Sequence, residues 1–510
     1  MAAPHVQPAG PSDDRALLGL AGVKLGFHLL TARGHGIFRD ELYYLACAAH
    51  PDWGYVDHPP LSIWLLWLET SLLGDSLPAI RLMSALAGAA SVFVAGRIAR
   101  ELGGGRAAQR LAALATLGVP FLLTVSHFYS MNVLEWLLWS VLALLAARAL
   151  RRGDGSGWLA FGAVAGLALL NKLQVVAWAG GLVLGLAATR ERRWLAAPRL
   201  WLGGALAALL FLPHLVWQVR SGWPTLEFIA NASAGKIHHA GPLEFAAGQI
   251  VLLGPWNAPL WLFGLLALLF FPAFARFRAL GLAWVATCAV FAAQGAKVYY
   301  LAPAYPALLA AGAAALERAA PRRAVLGAAG AVLALGAALG ALLAVPVLPP
   351  EQIVAWTRRI GISEPRTEKR EHGELPPTFA DMHGWQELVD TVAGVWGALP
   401  EADRVRAAIL TSNYGEAGAV DYFGPARGLP HAISGHNNYW LWGPGDFDGS
   451  VAVVVGLPRE KLEEWFEQVE EVAAVRCRWC QPVQNGRPVY VVRRLRGSVE
   501  ELWPRVRRYS

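Results

Sequence analysis

Long apolar blocks separated by short polar segments dominate the first two thirds of the chain. A block of about 20 apolar residues is long enough for one helix to cross a bilayer. The pattern therefore predicts a polytopic α-helical membrane protein with about eleven transmembrane helices. We place these helices near residues 15–32, 78–100, 107–126, 132–150, 157–170, 173–189, 200–219, 257–272, 279–294, 300–317 and 324–346.

The apolar stretch 158–189 is too long for a single crossing. As one helix it would extend nearly 50 Å, at about 1.5 Å per residue, against a hydrocarbon core of about 30 Å. A hairpin broken at Asn171 and Lys172 fits better. The hairpin also keeps two arginine clusters, near 148–152 and 190–193, on one side of the membrane, which the positive-inside rule makes cytoplasmic.

The composition changes abruptly after the last apolar block. Residues 1–350 form the predicted membrane domain, and 351–510 are polar and mixed, which is typical of a small soluble α/β domain of about 150 residues. Since the predicted number of crossings is odd, we expect this domain to lie outside the cytoplasm. Its predicted elements are strands at 406–411, 450–455 and 487–494, and an amphipathic helix at 460–472.

Charge is sparse in this chain, because only 16% of the residues are charged and 55% are hydrophobic. The formal net charge of +7 is explained by basic loop residues that anchor the helices at the membrane surface, so we expect no nucleic-acid partner. The first 14 residues lack a basic region followed by a cleavage site. We therefore interpret 16–31 as a retained first span and not as a cleaved signal peptide.

The four cysteines are too few for a disulfide scaffold. Cys47 and Cys288 lie singly in apolar surroundings, which is typical of core residues. Cys477 and Cys480 form a C-x-x-C motif without a second such motif or a histidine pair, which disfavours zinc. A local disulfide and a pair of free thiols both remain open, and we assign no metal site.

An acidic pair, Asp40 and Glu41, follows the first apolar segment and lies in the predicted outer loop 33–77. On a helix the two side chains would diverge by about 100°, so they would not easily reach the same atom. We expect one to act as a general base and the other as an orienting or structural partner. The alternative is a solvated first turn of a surface helix.

His58 lies between Asp57 and two prolines that disfavour helix before them. An extended segment therefore leads into the apolar stretch 61–73, which is too short to cross the membrane and is predicted to be an interfacial helix. His58 either contacts a phosphate or forms hydrogen bonds within its own loop, and the sequence does not decide between them.

Other polar residues occur at the predicted outer ends of later helices. Asn132 and Glu135 are i, i+3 neighbours and can share one side of a helix. An ionised Glu135 at that depth needs a partner or a cavity. Snorkelling to the interface explains each lysine singly, but the repeated placement favours anion binding. The candidate binding residues are Tyr43, Tyr44, Asp57, His58, Asn132, Glu135, Lys172, Arg220, Lys297, Tyr299 and Tyr300.

These motifs together resemble the bacterial glycosyltransferase family 39 type, which is similar to protein O-mannosyltransferases and to the lipid A aminoarabinose transferase. That group has the GT-C membrane fold. The resemblance covers about 16–346, and the tail also looks like that of some bacterial members. The motifs are 40–44, 54–61, Met131 and Asn132 with Glu135, Asn171 and Lys172, 297–306, 382–385, 413–418 and 434–437.

The resemblance implies an inverting transfer of a sugar from a polyprenyl-phosphate donor to a lipid, glycan or protein acceptor. It implies a multi-pass protein of the bacterial inner membrane, in contact with membrane lipids, that acts outside the cytoplasm. Asp40 matches the catalytic acid of the family's first loop, with Glu41 as the second member of its acidic pair. No cofactor is certain, and a divalent cation is left open.

The sequence departs from the family pattern at two places. His58 occupies the position at which the similar aminoarabinose enzymes have a lysine for the donor phosphate. Asn132 and Glu135 occupy the region in which relatives often have an aspartate. A secondary transporter or ion-coupled carrier is the alternative from another functional class. Transporters usually place such charges near the membrane midplane and show internal repeats, whereas here the charges gather at one face. A lipid-linked binding or assembly scaffold is the third alternative.

Overall fold

The computed structural model describes residues 10–361, 368–369 and 371–510, so part of the polar N-terminal segment 1–14 lies outside the described residues. Helices fill the membrane part. They are α1 (Asp14–Thr31), α2 (Arg39–Ala49), α3 (Leu61–Leu73), α4 (Leu77–Ile80), α5 (Leu82–Glu101), α6 (Arg106–Leu117), α7 (Pro120–Val125), α8 (Met131–Arg152), α9 (Gly157–Asn171), α10 (Val175–Ala187), α11 (Pro198–Arg220), α12 (Pro224–Asn231), α13 (Pro242–Leu253), α14 (Ala258–Phe270), α15 (Arg278–Ala293), α16 (Pro306–Ala319), α17 (Arg323–Ala344) and α18 (Pro350–Ile360).

A helix lies on each of the stretches that hydropathy predicts to cross the membrane. Among the described residues, five helices are long and apolar enough to cross by themselves, or up to seven if two bent pairs each count as one span. The remaining predicted spans are α1, which contains the charged residues Asp14, Arg15 and Lys24, and the short or interrupted helices α6 with α7, α9 and α10, so the count of eleven crossings stays a prediction. The predicted break at Asn171 and Lys172 is confirmed, because α9 ends at Asn171 and α10 begins at Val175.

Two segments predicted as outer loops contain helices. The acidic pair lies in the first turn of α2, and the segment between the predicted spans 200–219 and 257–272 contains α12 and α13. The pair formed by α13 and the following helix bends by 93°. Gly254, with a φ of 84°, and Pro255 lie at this bend, and glycine tolerates the positive φ that other residues avoid.

A five-stranded mixed sheet with flanking helices forms the C-terminal part, and its strand order is β2-β1-β3-β5-β4. Strands β2, β1 and β3 are parallel, and β5 is antiparallel to both β3 and β4. The elements are α19 (Pro377–Ala380), α20 (Trp385–Ala398), α21 (Glu401–Arg404), β1 (Ala407–Thr411), α22 (Tyr414–Phe423), β2 (Ala432–Ser434), α23 (Asn438–Trp442), β3 (Val451–Val455), α24 (Arg459–Trp465), β4 (Phe466–Ala474), β5 (Pro488–Leu495) and α25 (Val499–Val506).

The predicted helix at 460–472 is wrong. Helix α24 ends at Trp465, and the rest of the segment is the edge strand β4, paired to β5. Because β5 offers a full row of backbone groups, strand pairing overrides the local helical pattern. Strands lie at the three places predicted for them, while the short strand β2 was missed.

The sheet domain and the membrane part share one hydrophobic core. Leu42 and Cys47 of α2 pack in the same buried cluster as Trp385, Ala417 and Val420 of the sheet domain. A shared core of this kind holds the two parts in a definite relative position. The acidic pair lies at this junction.

Candidate active site

Asp40 lies in the first turn of α2, with about a third of its side chain exposed. Its Oδ1 atom accepts a hydrogen bond from the Tyr414 hydroxyl at 3.1 Å and one from Arg39 Nε at 3.4 Å. Both donors bind the same oxygen, and the described contacts place no donor on Oδ2. Asp40 is therefore an accessible carboxylate that is held in one orientation.

Glu41 has a different environment, because it is almost completely buried. Arg81 donates to both of its oxygens, at 2.8 and 2.7 Å. The backbone N–H groups of Phe38 and Tyr129 donate to the same carboxylate, each at 2.8 Å. A carboxylate with four such donors has little capacity left for a substrate. Of the two roles expected for the acidic pair, Glu41 has the geometry of the structural partner.

Asp57 and the two tyrosines of α2 form one wall beside Asp40. The Tyr43 hydroxyl lies 2.9 Å from Asp57 Oδ1 and 3.1 Å from Asn438 Oδ1 of the sheet domain. The backbone N–H of Val56 also donates to Asn438 Oδ1, at 2.7 Å. Asn438 therefore ties the outer loop to the sheet domain, and Tyr44 is buried with its ring centroid 6.3 Å from that of Tyr43.

His58 is buried against the rings of Tyr44 and Tyr55, at centroid distances of 4.9 and 5.0 Å. Its Nδ1 lies 3.0 Å from the Pro59 carbonyl oxygen, and its Nε2 lies 3.9 Å from Asp57 Oδ1. Of the two alternatives that the sequence leaves open, these contacts favour hydrogen bonding within the loop. The phosphate contact of His58 stays a prediction.

Lys172 joins residues of three predicted motifs. Its Nζ donates to Glu135 Oε2 at 2.8 Å and to Asn132 Oδ1 at 2.9 Å. The same ammonium lies 5.3 Å from the ring centre of Tyr299 and 4.8 Å from that of Tyr300, within cation–π distance. The i, i+3 pair on α8 therefore does share one side, and a buried lysine pairs with it.

Two further lysines, Lys297 and Lys236, contact a carboxylate and a tyrosine of this region. Lys297 Nζ donates to Glu368 Oε1 at 3.1 Å. Lys236 Nζ lies 5.7 Å from the ring centre of Tyr414, the same tyrosine that bonds Asp40. Burial lowers the pKa of Lys236 below its ordinary value, an effect that the charge of Glu368 opposes. Lys236 and Lys297 thus lie in the same partly buried region as the carboxylates of Asp40 and Glu368.

Arg220 is exposed at the C-terminal end of α11. None of the described contacts of the cluster involves it, so the structure does not bring this predicted residue to the others. In contrast, the structure adds Arg39, Tyr414 and Glu368, which the sequence did not single out as site residues. Arg39 could have been noticed as the neighbour of Asp40, and Tyr414 as a member of the 413–418 motif.

No group of three or more His, Cys, Asp or Glu side chains within the described residues could hold a metal ion. The divalent cation that the resemblance leaves open stays an expectation. Cys477 and Cys480 form a disulfide, which is one of the two alternatives for the C-x-x-C motif.

Comparison with known proteins relates the membrane part to sugar transferases. Residues 57–217 match the sequence family described as dolichyl-phosphate-mannose-protein mannosyltransferase. The chain is similar to the crystal structure of ArnT from Cupriavidus metallidurans bound to undecaprenyl phosphate, with a TM-score of 0.60 and 17% identity over 94% of this chain and 98% of that one. The chain has the ArnT fold.

The apo form of the same ArnT gives a TM-score of 0.57 and 20% identity, over 92% of this chain and 97% of that one. Both comparisons cover the membrane helices and the sheet domain together. The fold class predicted from the sequence, GT-C-type membrane helices followed by a small α/β domain, is confirmed, and so is the resemblance to the mannosyltransferase family. No curated protein matches the sequence.

Proposed function

We propose that the protein is a membrane glycosyltransferase that moves a sugar from a polyprenyl-phosphate donor to an acceptor, with Asp40 as the general base. The observation that carries the proposal is the position of Asp40, a partly exposed carboxylate near partly buried cations, whose Oδ2 atom accepts no hydrogen bond among the described contacts. The match to a dolichyl-phosphate-mannose transferase family and the fold shared with ArnT support the donor class.

The chemistry of such a donor matches these residues. A phosphate-linked sugar already carries its leaving group, so the enzyme needs a base for the incoming nucleophile and cations for the charge that develops on the phosphate. Asp40 Oδ2 would accept the proton of an acceptor hydroxyl or amine. Lys236 and Lys297 would stabilise the departing phosphate, because both ammonium groups lie around the same partly buried region as Asp40.

A single displacement inverts the sugar's configuration, because the acceptor attacks from the side opposite the phosphate. Asp40 is the accessible member of the acidic pair for this step, since Glu41 is engaged with Arg81. The acceptor is a lipid, a glycan or a protein with a free hydroxyl or amine. Tyr299 and Tyr300, which are partly exposed, would contact the sugars.

We place this reaction on the extracytoplasmic side of a bacterial inner membrane, because the basic clusters near 148–152 and 190–193 favour the cytoplasm. A cysteine in place of the exposed Glu460 tests the placement. It should react with a membrane-impermeant thiol reagent in intact spheroplasts, while Cys477 and Cys480 stay protected in their disulfide. Labelling only after lysis would show that the sheet domain lies in the cytoplasm and would contradict this placement.

Asp40→Asn tests the catalytic assignment, measured as transfer of labelled sugar from a lipid extract to endogenous acceptors in membranes. We expect transfer to fall at least a hundredfold, while undecaprenyl phosphate binding and protein abundance are retained. Asp75→Asn is the matched control, because Asp75 is an exposed carboxylate of the same outer loop. Wild-type transfer by Asp40→Asn would overturn the assignment. Loss of transfer in both variants would also count against it, because the loss would then not be specific to Asp40.

A further inference from the structure

Helix α22 of the sheet domain lies directly on α2 of the membrane part. A β-carbon added to Gly418 would lie 2.8 Å from the Leu42 carbonyl carbon, and one added to Gly415 would lie 2.7 Å from Arg39 Cγ. The two glycines are i, i+3 neighbours and face the same partner helix. They allow an approach that a larger residue on this side of α22 would prevent.

The first turn of α22 is fixed from within the sheet domain. The Asn413 side-chain oxygen accepts hydrogen bonds from the Gly415 and Glu416 N–H groups, at 3.0 and 3.1 Å, as an N-cap residue does. Glu416 is buried and pairs with Arg487 at 2.7 Å, and it accepts from the Ser412 N–H at 3.0 Å. These contacts therefore hold the backbone of Tyr414 in a fixed position.

The Tyr414 ring is held on both faces. It stacks on Tyr43 and on His436, at centroid distances of 4.6 and 4.9 Å, and Lys236 lies 5.7 Å from its centre. Its hydroxyl donates to Asp40 Oδ1. Burial raises the pKa of Tyr414 well above its ordinary value, so the hydroxyl keeps its proton as a donor.

We propose that Tyr414 is a positioning residue for Asp40, through which the sheet domain completes the catalytic site. By binding Oδ1 together with Arg39, the tyrosine directs Oδ2 towards the acceptor. This role rests on the proposed function, because it matters only if Asp40 is the base. It also explains the 413–418 motif, whose cap, tyrosine and glycines all serve the same contact.

Other charged and titratable groups face this region from the elements packed against it. Arg39 belongs to α2, Lys236 to the segment after α12, Tyr299 to the turn before α16, and Glu368 to the segment before the sheet domain. Their charges set the general electrostatic background for Asp40. Only Tyr414 and Arg39 donate hydrogen bonds directly to its carboxylate among the described contacts.

Tyr414→Phe removes the hydroxyl and keeps the ring. We expect kcat to fall about tenfold to hundredfold, with the donor KM within twofold of wild type, because misplacement of a catalytic group affects the chemical step more than binding. Loss of a donor to a carboxylate favours its protonated form, so the acidic limb of the kcat–pH profile should move to higher pH.

Tyr422→Phe is the matched control. Tyr422 lies in the same helix, and its hydroxyl donates to the Asp75 backbone oxygen at 2.9 Å, so it also joins the two parts without contacting Asp40. Its kcat and pH profile should match wild type. An unchanged kcat and pH profile in Tyr414→Phe would overturn the proposal, and so would equal losses in the two variants.

Gly418→Ala tests the docking contact while Tyr414 stays in place. The added β-carbon would press on the Leu42 backbone, so kcat should fall, whereas Gly394→Ala in α20, where the β-carbon meets open space, should not change it. Wild-type kcat in Gly418→Ala would contradict the docking argument. Full activity of Asp40→Asn would instead refute Asp40 as the base. Failure of the proposed function can therefore be distinguished from failure of the positioning role of Tyr414.

Discussion

Arg81 binds both carboxylate oxygens of Glu41, at 2.8 and 2.7 Å, and the two side chains are almost completely buried. The same guanidinium donates to the backbone oxygens of Ala32 and Gly36, each at 2.7 Å. This pair therefore fixes the segment that leads into α2, directly next to Asp40. It separates the two adjacent acidic residues into a structural one and an accessible one.

Removing one member of this pair should destabilise the protein. Arg81→Met would leave Glu41 as a buried unpaired carboxylate, at a cost of about 3–5 kcal/mol. We expect a clearly lower unfolding temperature in detergent, with loss of transfer as a consequence. Asp40→Asn serves as the comparison, because it should abolish transfer at a wild-type unfolding temperature. Equal unfolding temperatures for Arg81→Met and wild type would contradict this account.

The buried pair of Lys172 and Glu135 allows stability to be separated from ligand binding. Lys172→Met should destabilise the protein by about 3–5 kcal/mol, because Glu135 would lose its partner. The double variant with Glu135→Leu should recover most of the unfolding temperature.

Undecaprenyl phosphate binding to the Lys172→Met, Glu135→Leu double variant then reports on the predicted contact with the donor. If Lys172 contributes to the anion site, binding should stay weaker by roughly tenfold, or about 1.4 kcal/mol. Wild-type affinity in a stable double variant would show that the lysine serves the fold alone.

Glu368 neutralises part of the positive charge of Lys297, because the two side chains pair at 3.1 Å. Glu368→Gln should leave Lys297 available to the donor phosphate and lower the donor KM by roughly three- to tenfold. Glu371→Gln is the control, as this carboxylate is an exposed neighbour in the chain. A raised KM in Glu368→Gln would mean that the carboxylate contacts the substrate directly.

The contact between His35 and His383 predicts a pH dependence. His383 Nε2 lies 2.9 Å from His35 Nδ1, at the junction between the membrane part and the sheet domain. Burial, with a smaller contribution from His35, lowers the pKa of His383 to about 4. The unfolded chain therefore binds more protons than the folded one between pH 6.5 and 4, so stability should fall as the pH falls through this window.

One pKa unit corresponds to about 1.4 kcal/mol, and the partial exposure of His383 reduces its share to about 1–2 kcal/mol. Unfolding temperatures at pH 7.5 and 5 measure the effect. His383→Gln should show a smaller decrease than wild type, while the two proteins should agree near pH 7.5. The same decrease in both would assign the pH dependence to other groups.

The positions of most helices could be predicted from the sequence, because apolar length and hydropathy are local properties. The break at Asn171 and Lys172 followed from the bilayer thickness together with the positions of the arginine clusters. Local patterns failed at 460–472, where a short helix gives way to β4, because the pairing partner β5 contributes more than local periodicity. Helix α2 was considered for the acidic pair but was not placed among the predicted elements, because the segment is too short to cross the membrane and lies within the predicted outer loop 33–77.

The sequence by itself determined the membrane class and the divergence of Asp40 and Glu41, since adjacent side chains on a helix differ in direction by about 100°. Only the tertiary structure decided which of the two is buried. Arg81 lies 40 residues from Glu41, and Tyr414 lies 374 residues from Asp40. Contacts over such separations arise from the packing of α22 on α2 and of the helices around Arg81, and no local pattern encodes that packing.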